Sequence, residues 1–242
     1  MPDLVSTVKS TYAAGARAVG KGLTRVGLLP DQPPARSSRL KHWAYSLTRA
    51  HDSLGISELD VPWWTYGAID AVERFITEHD GDVRVFEWGS GASTIWLARR
   101  VTRVDSVEHH RGFGEMIQAR LAGEFPNADL QIIEPVRSAN PVVGSHKEGH
   151  GELDFADYVA HIDKLAATRG PFELIVVDGR ARESCVAAAL PHLANGGIIV
   201  FDNTRRRRYR AAIASLPVSE VRYRGLTPTL PYPDQTSVIT RA

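Results

Sequence analysis

The chain reads as an α/β fold, a mostly parallel sheet with helices on both faces, and three observations predict it. From Asp82 onward, short β-branched or aromatic runs alternate with stretches of helical period, as parallel strands joined by right-handed crossovers do. Residues 172–177 are apolar except for Glu173 near the start, as suits a strand covered on both faces. Residues 83–98 pass from a strand-like run through Gly89 and Gly91 straight into Ala92, Ile95, Trp96 and Ala98 at helical spacing.

At 242 residues, 43% of them hydrophobic and 24% charged, the chain can bury a sizeable core. Its net charge of +1 gives a nucleic-acid partner no support. A single cysteine, Cys185, excludes an internal disulfide and a cysteine metal cluster, and suits a reducing, cytoplasmic setting. Lying among Val186, Ala187 and Ala188, it reads as buried filler on a helix. The longest uncharged run, 184–201, is interrupted by Pro191 and Gly196-Gly197, so it is not a membrane span.

Residues 1–38 read as a basic amphipathic helix and a linker. Lys9, Arg17, Lys21 and Arg25 occur with no acid between Asp3 and Asp31, while Leu4, Val8, Tyr12, Val19, Leu23 and Val26 recur at helical spacing. Such a helix over 4–29 packs on the domain or a partner, or lies on a membrane surface. Arg17 interrupts the alanines too early for a secretory signal. Residues 30–38, with Pro33 and Pro34, form the linker. Residues 39–80 read as a helical extension, one helix through Leu40, Trp43, Leu47 and Leu54, another opened by Pro62 and running through Ile69, Val72 and Ile76. Trp63, Trp64 and Tyr66 pack on the sheet or line a pocket.

Within 81–242 the first strand ends in Glu87-Trp88, and the turn Gly89-Ser90-Gly91 lets a ligand approach the backbone at a helix start. A dinucleotide's pyrophosphate would be repelled by Glu87, and Thr94 stands where that fingerprint has its third small residue. A cationic ligand would be attracted. The second strand, 103–108, ends in Glu108, 19 residues beyond Gly89, where a carboxylate can accept a ribose diol. A third strand at 130–134 leads to a polar loop, 138–153, carrying His146 and His150, either a lid offering a histidine base or a solvated loop. A helix over 155–165 follows. The fourth strand, 172–177, ends in Asp178; a helix spans 182–190; a turn at Asn195-Gly196-Gly197 enters a fifth strand at 198–201, ending in Asp202-Asn203. Arg205 to Arg208 and Arg210 are a solvated helix start or a grip for an anionic acceptor. The runs 219–224 and 235–240 alternate as a hairpin.

The acidic residue before Gly-x-Gly, the strand-ending Glu108, Phe-Glu-Leu-Ile-Val-Val-Asp and Gly-Gly-Ile-Ile-Val-Phe-Asp, in that order over 83–203, resemble the class I S-adenosylmethionine-dependent methyltransferases. The resemblance implies a Rossmann-like, seven-stranded, mostly parallel sheet. It also implies S-adenosylmethionine held by Glu87, Trp88, Gly89, Ser90, Gly91, Glu108 and Asp178, and methylation of a small-molecule acceptor, most simply a hydroxyl. An NAD(P)-dependent oxidoreductase and a non-catalytic nucleoside-binding module are the other readings of such a sheet.

Asp178, Asp202 and Asn203, on neighbouring strand ends, are hard ligands suited to magnesium. The pattern resembles the metal-dependent catechol and caffeoyl-coenzyme A type O-methyltransferases. One departure stands out: their first aspartate is followed by a lysine, whereas Gly179-Arg180-Ala181-Arg182 offers only arginines. A base would then be His146 or His150, or be unnecessary once a metal acidifies the hydroxyl, and Asp178 is the third candidate catalytic residue. Without a metal, Asp178 orients cofactor or acceptor, and Asp202 and Asn203 cap a helix beginning near Thr204.

Overall fold

The computed structural model describes residues 32–49 and 53–242, so the basic helix expected over 4–29 lies outside the described residues. Three helices come first: α1 (Arg39–Arg49), α2 (Ser53–Glu58) and α3 (Tyr66–Glu78). The alternating part follows as β1 (Arg84–Trp88), α4 (Ala92–Ala98), β2 (Arg103–Glu108), α5 (Arg111–Leu121) and β3 (Ala128–Ile132). A two-stranded ribbon, β4 (Val136–Arg137) with β5 (Leu153–Asp154), leads to α6 (Ala156–Arg169). Then come β6 (Phe172–Val177), α7 (Arg182–Ala189), β7 (Leu193–Asp202), α8 (Arg207–Ala214), β8 (Val218–Gly225) and β9 (Asp234–Arg241).

Seven strands form one sheet in the order β3-β2-β1-β6-β7-β9-β8. The first five are mutually parallel and β9 runs antiparallel to both its neighbours. β6, apolar apart from Glu173, is the central strand, and the order reverses between β1 and β6. In such a sheet the crevice at the carboxyl ends of those two strands is the place for a ligand.

Alternation along the strands separates two apolar layers. Val85, Leu174, Val176 and Val200 face Trp64, Ile69, Val72, Trp96 and Leu97. Phe86, Ile175, Val177, Ile199 and Phe201 face Phe155, Tyr158, Ile162, Cys185 and Val186. Cys185 is buried and free, as expected of filler.

The extension is stitched to the far end of the chain. Trp43 Nε1 donates to Leu230 O at 2.8 Å, Trp63 Nε1 to Thr229 Oγ1 at 2.6 Å, and Tyr66 N to Leu226 O at 3.1 Å. Trp64 is fully buried, edge-on to Trp96 with centroids 5.9 Å apart. Thus α1–α3 and the β8–β9 loop together wall the sheet on one side of its ligand edge.

Several boundaries differ from expectation: Leu54 lies on α2 rather than with Leu40 and Leu47 on α1, the helix opened by Pro62 begins at Tyr66, and the helix over 155–165 runs on to Arg169. The third strand sits two residues earlier, at Ala128–Ile132, because near the sheet edge only Leu130 of that strand is buried and apolarity no longer marks the ends. Asn195-Gly196-Gly197 lies inside β7 rather than before it, taken up as an irregularity between the pairs Phe172↔Leu193 and Leu174↔Ile198. The helix expected near Thr204 begins at Arg207. Among the described residues no helix is long and apolar enough to cross a membrane.

Candidate active site

Glu87 is fully buried at the end of β1, and its oxygens collect hydroxyls. Ser93 Oγ donates to Oε1 at 2.5 Å, while Thr94 Oγ1 and Ser106 Oγ donate to Oε2, the latter at 2.9 Å. Ser106 is there because β1 and β2 pair Glu87 with it in register. Thr94 also accepts from Gly91 N at 2.8 Å, so its hydroxyl relays between the glycine turn and the carboxylate. This explains a threonine where a dinucleotide fold has a small residue. Burial pushes the Glu87 carboxyl up to about 7, against the three hydroxyls, which hold it down.

The turn is tight because two loops touch. Gly89 has φ +95°, and a Cβ there would lie 2.5 Å from Gly179 N and Cα. Gly91, with φ 163°, is simply extended. A Cβ on Gly179 would overlap the buried Tyr158 hydroxyl. Both glycines therefore serve the closeness of the β1 and β6 loops, which Asp178 N seals by donating to Trp88 O at 2.9 Å. Trp88, expected to contact cofactor, is a core side chain whose Nε1 donates to Tyr158 O at 3.0 Å, so only its backbone borders the turn. Alternation decides this: Trp88 shares the sheet face of Phe86, opposite Glu87. Ser90 is buried with an unpartnered Oγ, an orphan that fits a ligand's polar group.

Glu108 closes the other flank. Its Oε1 accepts from His109 N at 2.9 Å and His110 N at 2.8 Å, and His109 Nδ1 lies 2.6 Å away. Oε2 makes no hydrogen bond to a described residue, so it can accept from a ligand.

The two loop histidines are separated. His150 stacks on Phe155 with centroids 5.8 Å apart, near His109. Burial, then Lys147 and Arg180, hold its pKa down at about 4. His146 is exposed, 3.8 Å from Glu183, on the rim of a hollow of about 250 Å3 that also takes in Gly179, Arg180, Arg206 and Arg208. Tyr66 proves to be a packing residue, bonded to His42 Nδ1 at 2.7 Å. Trp64 is a packing residue too, fully buried, with its Nε1 near Asp178, where burial raises the carboxyl's pKa and the indole only opposes that rise.

Asp178, Asp202 and Asn203 do meet at the ends of β6 and β7, but a side chain that sequence reasoning passed over stands among them. The buried guanidinium of Arg182 contacts Asp178 Oδ1 at 2.7 Å and donates to Asn203 Oδ1 at 3.1 Å, Asp202 O at 2.8 Å, Asp178 O at 2.6 Å and Gly179 O at 3.0 Å. Asp202 Oδ1 accepts from Thr236 Oγ1 at 2.7 Å, and Asn203 Nδ2 donates to Asp234 Oδ2 at 2.9 Å. The arrangement does not fit the expected magnesium: a permanent cation already holds one carboxylate and the amide oxygen, and a second ion there would be repelled. Nor do Asp202 and Asn203 cap a helix, since the residue preceding α8 is Arg206. Burial pushes both aspartic acids up, with Asp178 adding to the effect at Asp202 and Arg182 opposing both. Burial also works against the charge of Arg182, yet Asp178 and Asp202 more than offset it, so its pKa is raised. Two residues flanking the nest are left-handed without being glycine, Ala181 (φ +48°) and Asn203 (φ +59°), strain of the kind found where surrounding structure dictates backbone.

A sheet in this order, with carboxylates on the ends of three adjacent strands around a glycine turn, is that of a Rossmann-like methyltransferase. Residues 86–204 match the family model described as a methyltransferase domain, and the chain is a class I S-adenosylmethionine-dependent methyltransferase. Its fold resembles that of an O-methyltransferase from Bacillus cereus solved in complex with SAH, at 18% identity and TM-score 0.56, covering 95% of this chain and 100% of that one. It is also similar to a methyltransferase-like protein from Silicibacter pomeroyi (21% identity, TM-score 0.47, 71% and 84% covered). A third similar structure is a SAM-bound amino pentose methyltransferase from Micromonospora echinaspora (16% identity, TM-score 0.46, 75% and 92% covered). No curated protein matches the chain.

Proposed function

We propose that this methyltransferase moves a methyl group from S-adenosylmethionine to an oxygen of a small molecule, with no divalent metal at the ends of β6 and β7. The observation that carries the reading is the convergence of Glu87, Glu108 and Asp178 on adjacent parallel strands, beside a hollow of small-molecule size.

When bound, S-adenosylmethionine supplies an electrophilic methyl carbon on a sulfonium. In our reading Ser90 Oγ donates to or accepts from its polar groups, and Glu108 Oε2 accepts from its hydroxyls. Glu87 sets the shape of the turn and places a carboxylate below the cationic end. Asp178 orients the acceptor hydroxyl and takes its proton. It suits that role better than either histidine: burial raises its pKa, whereas His150 at about 4 is a weak base. Arg182 fixes one oxygen of that carboxylate, leaving the other for the acceptor. Trp64 and the extension keep water from the site, which in-line displacement needs.

Calorimetric titration with SAH and with NADH tests the cofactor. SAH should bind and NADH should not; the reverse would make the chain an oxidoreductase scaffold. Once an acceptor is found, Asp178→Asn should abolish transfer while keeping SAH affinity, and EDTA should leave the rate unchanged.

A further inference from the structure

The hollow that takes in Gly179, the residue after Asp178, is also lined by Lys147, Arg180, Arg206 and Arg208, with Glu183 the one carboxylate among its lining residues. Glu183 is already engaged, 2.9 Å from Arg208 Nε. Arg206 and Arg208 both lie over the Tyr209 ring, at 5.5 and 4.8 Å, which keeps the exposed Arg206 and the half-buried Arg208 at the mouth of the hollow. Arg205, the other candidate from the basic run, is turned away and donates to Pro233 O at 2.9 Å.

Arg180 is the telling member. Its Nη1 reaches only the carbonyl of its neighbour Gly179, at 3.3 Å, and its Nε is buried with no acceptor. No carboxylate among the described residues lies within ion-pair distance of it, and Arg182 stands close enough to repel it. A half-buried guanidinium with neither an anion nor a full set of acceptors is costly, and a ligand that brings an oxyanion repairs both deficits at once. An arginine fork matches a carboxylate or phosphate with two parallel hydrogen bonds.

We infer that the methyl acceptor is an anionic small molecule, whose carboxylate or phosphate is gripped by Arg180 and Arg206 while its hydroxyl is presented to Asp178. This rests on the proposed function and deepens it: four cations against one acid select the acceptor by charge, and a neutral hydroxyl compound of the same shape is left unheld.

The test uses the full chain saturated with SAH, titrated calorimetrically with 4-hydroxybenzoate, phenyl phosphate and phenol. At least one of the two anions should bind about tenfold or more tightly than phenol, the usual return on a charge-assisted pair, and which of them does so tells carboxylate from phosphate. Arg180→Gln and, separately, the exposed Arg206→Gln should bring that anion close to phenol while SAH affinity stays put. Anions that bind no better than phenol overturn the inference. So does an Arg180→Gln variant that loses SAH instead, because the guanidinium would then be holding the cofactor's own carboxylate. Failure of the wild-type chain to bind SAH would count against the proposed function, and the same titrations without SAH would still judge the hollow.

Discussion

Replacing Arg182 by methionine removes the cation from a nest of carboxylates and carbonyls while keeping most of its volume. Five polar contacts go, four to the loop residues Asp178, Gly179 and Asp202 and one to Asn203. Asp178 and Asp202 are then left buried side by side without the cation that contacts them, Arg180 acting on Asp178 only from farther off. Breaking one partner out of a buried ion pair costs about 3–5 kcal/mol. For a chain of this length each kcal/mol corresponds to about 2–4 °C in Tm, so the variant should melt roughly 6–20 °C lower. The gap should narrow on acidification, because protonation of the two carboxyls removes the stranded charge. Differential scanning calorimetry at neutral and mildly acidic pH reads both effects. Millimolar magnesium should leave the wild-type Tm where it is, and Arg182→Ala, which empties the space between the ligands, is the form in which magnesium could stabilise. A cost below about 1 kcal/mol, or a wild-type Tm raised by magnesium, would refute the reasoning that the guanidinium stands in the place of a metal.

Three further outcomes are expected. Glu87 ionises near 7 when folded against an ordinary 4.5, so between those values the native state binds more protons than the unfolded chain and wild-type stability falls as pH rises. Glu87→Gln lacks that slope, and the Tm difference, variant minus wild type, should grow by the equivalent of about 3 kcal/mol from pH 4.5 to 7 and then level off; a flat difference would mean the carboxylate is not desolvated. Gly179→Ala should destabilise the chain because its methyl meets the Tyr158 hydroxyl, and Tyr158→Phe should recover part of the loss; equal melting of the single and double variants would exclude that contact. Glu108→Ala should weaken SAH by roughly tenfold or more in a chain that still folds, with Tm lowered by the loss of the acceptor for His109 N and His110 N, and wild-type affinity in calorimetry would remove Glu108 from the cofactor site.

Much of the fold was legible because sheet position writes itself into hydrophobicity. Burial on both faces made 172–177 unmistakable, and the strand–glycine–helix passage at 83–98 followed from backbone geometry. Residues at strand ends were legible for the same reason: once the strands are parallel and ordered, Glu87, Glu108, Asp178, Asp202 and Asn203 must share one edge. Where burial is weak the pattern fades. The edge strand β3 was displaced by two residues, and a glycine turn was read before β7 when the strand absorbs it.

What only the tertiary structure decided is how those strand-end groups are satisfied. Parallel strand order gathers four acids and an amide at one edge, and the chemistry of such a set admits a metal equally with any other cation. Whether Arg182 reaches in from α7 depends on the helix's approach and on the left-handed turn at Ala181, which no spacing reveals. The same holds for Thr94 and Ser106, ordinary residues until pairing with β2 and the first turn of α4 bring their hydroxyls to Glu87. Side-chain partners are chosen by distances of an ångström or two between segments far apart in the chain. A one-dimensional pattern records which faces are buried, and leaves open which buried charge meets which.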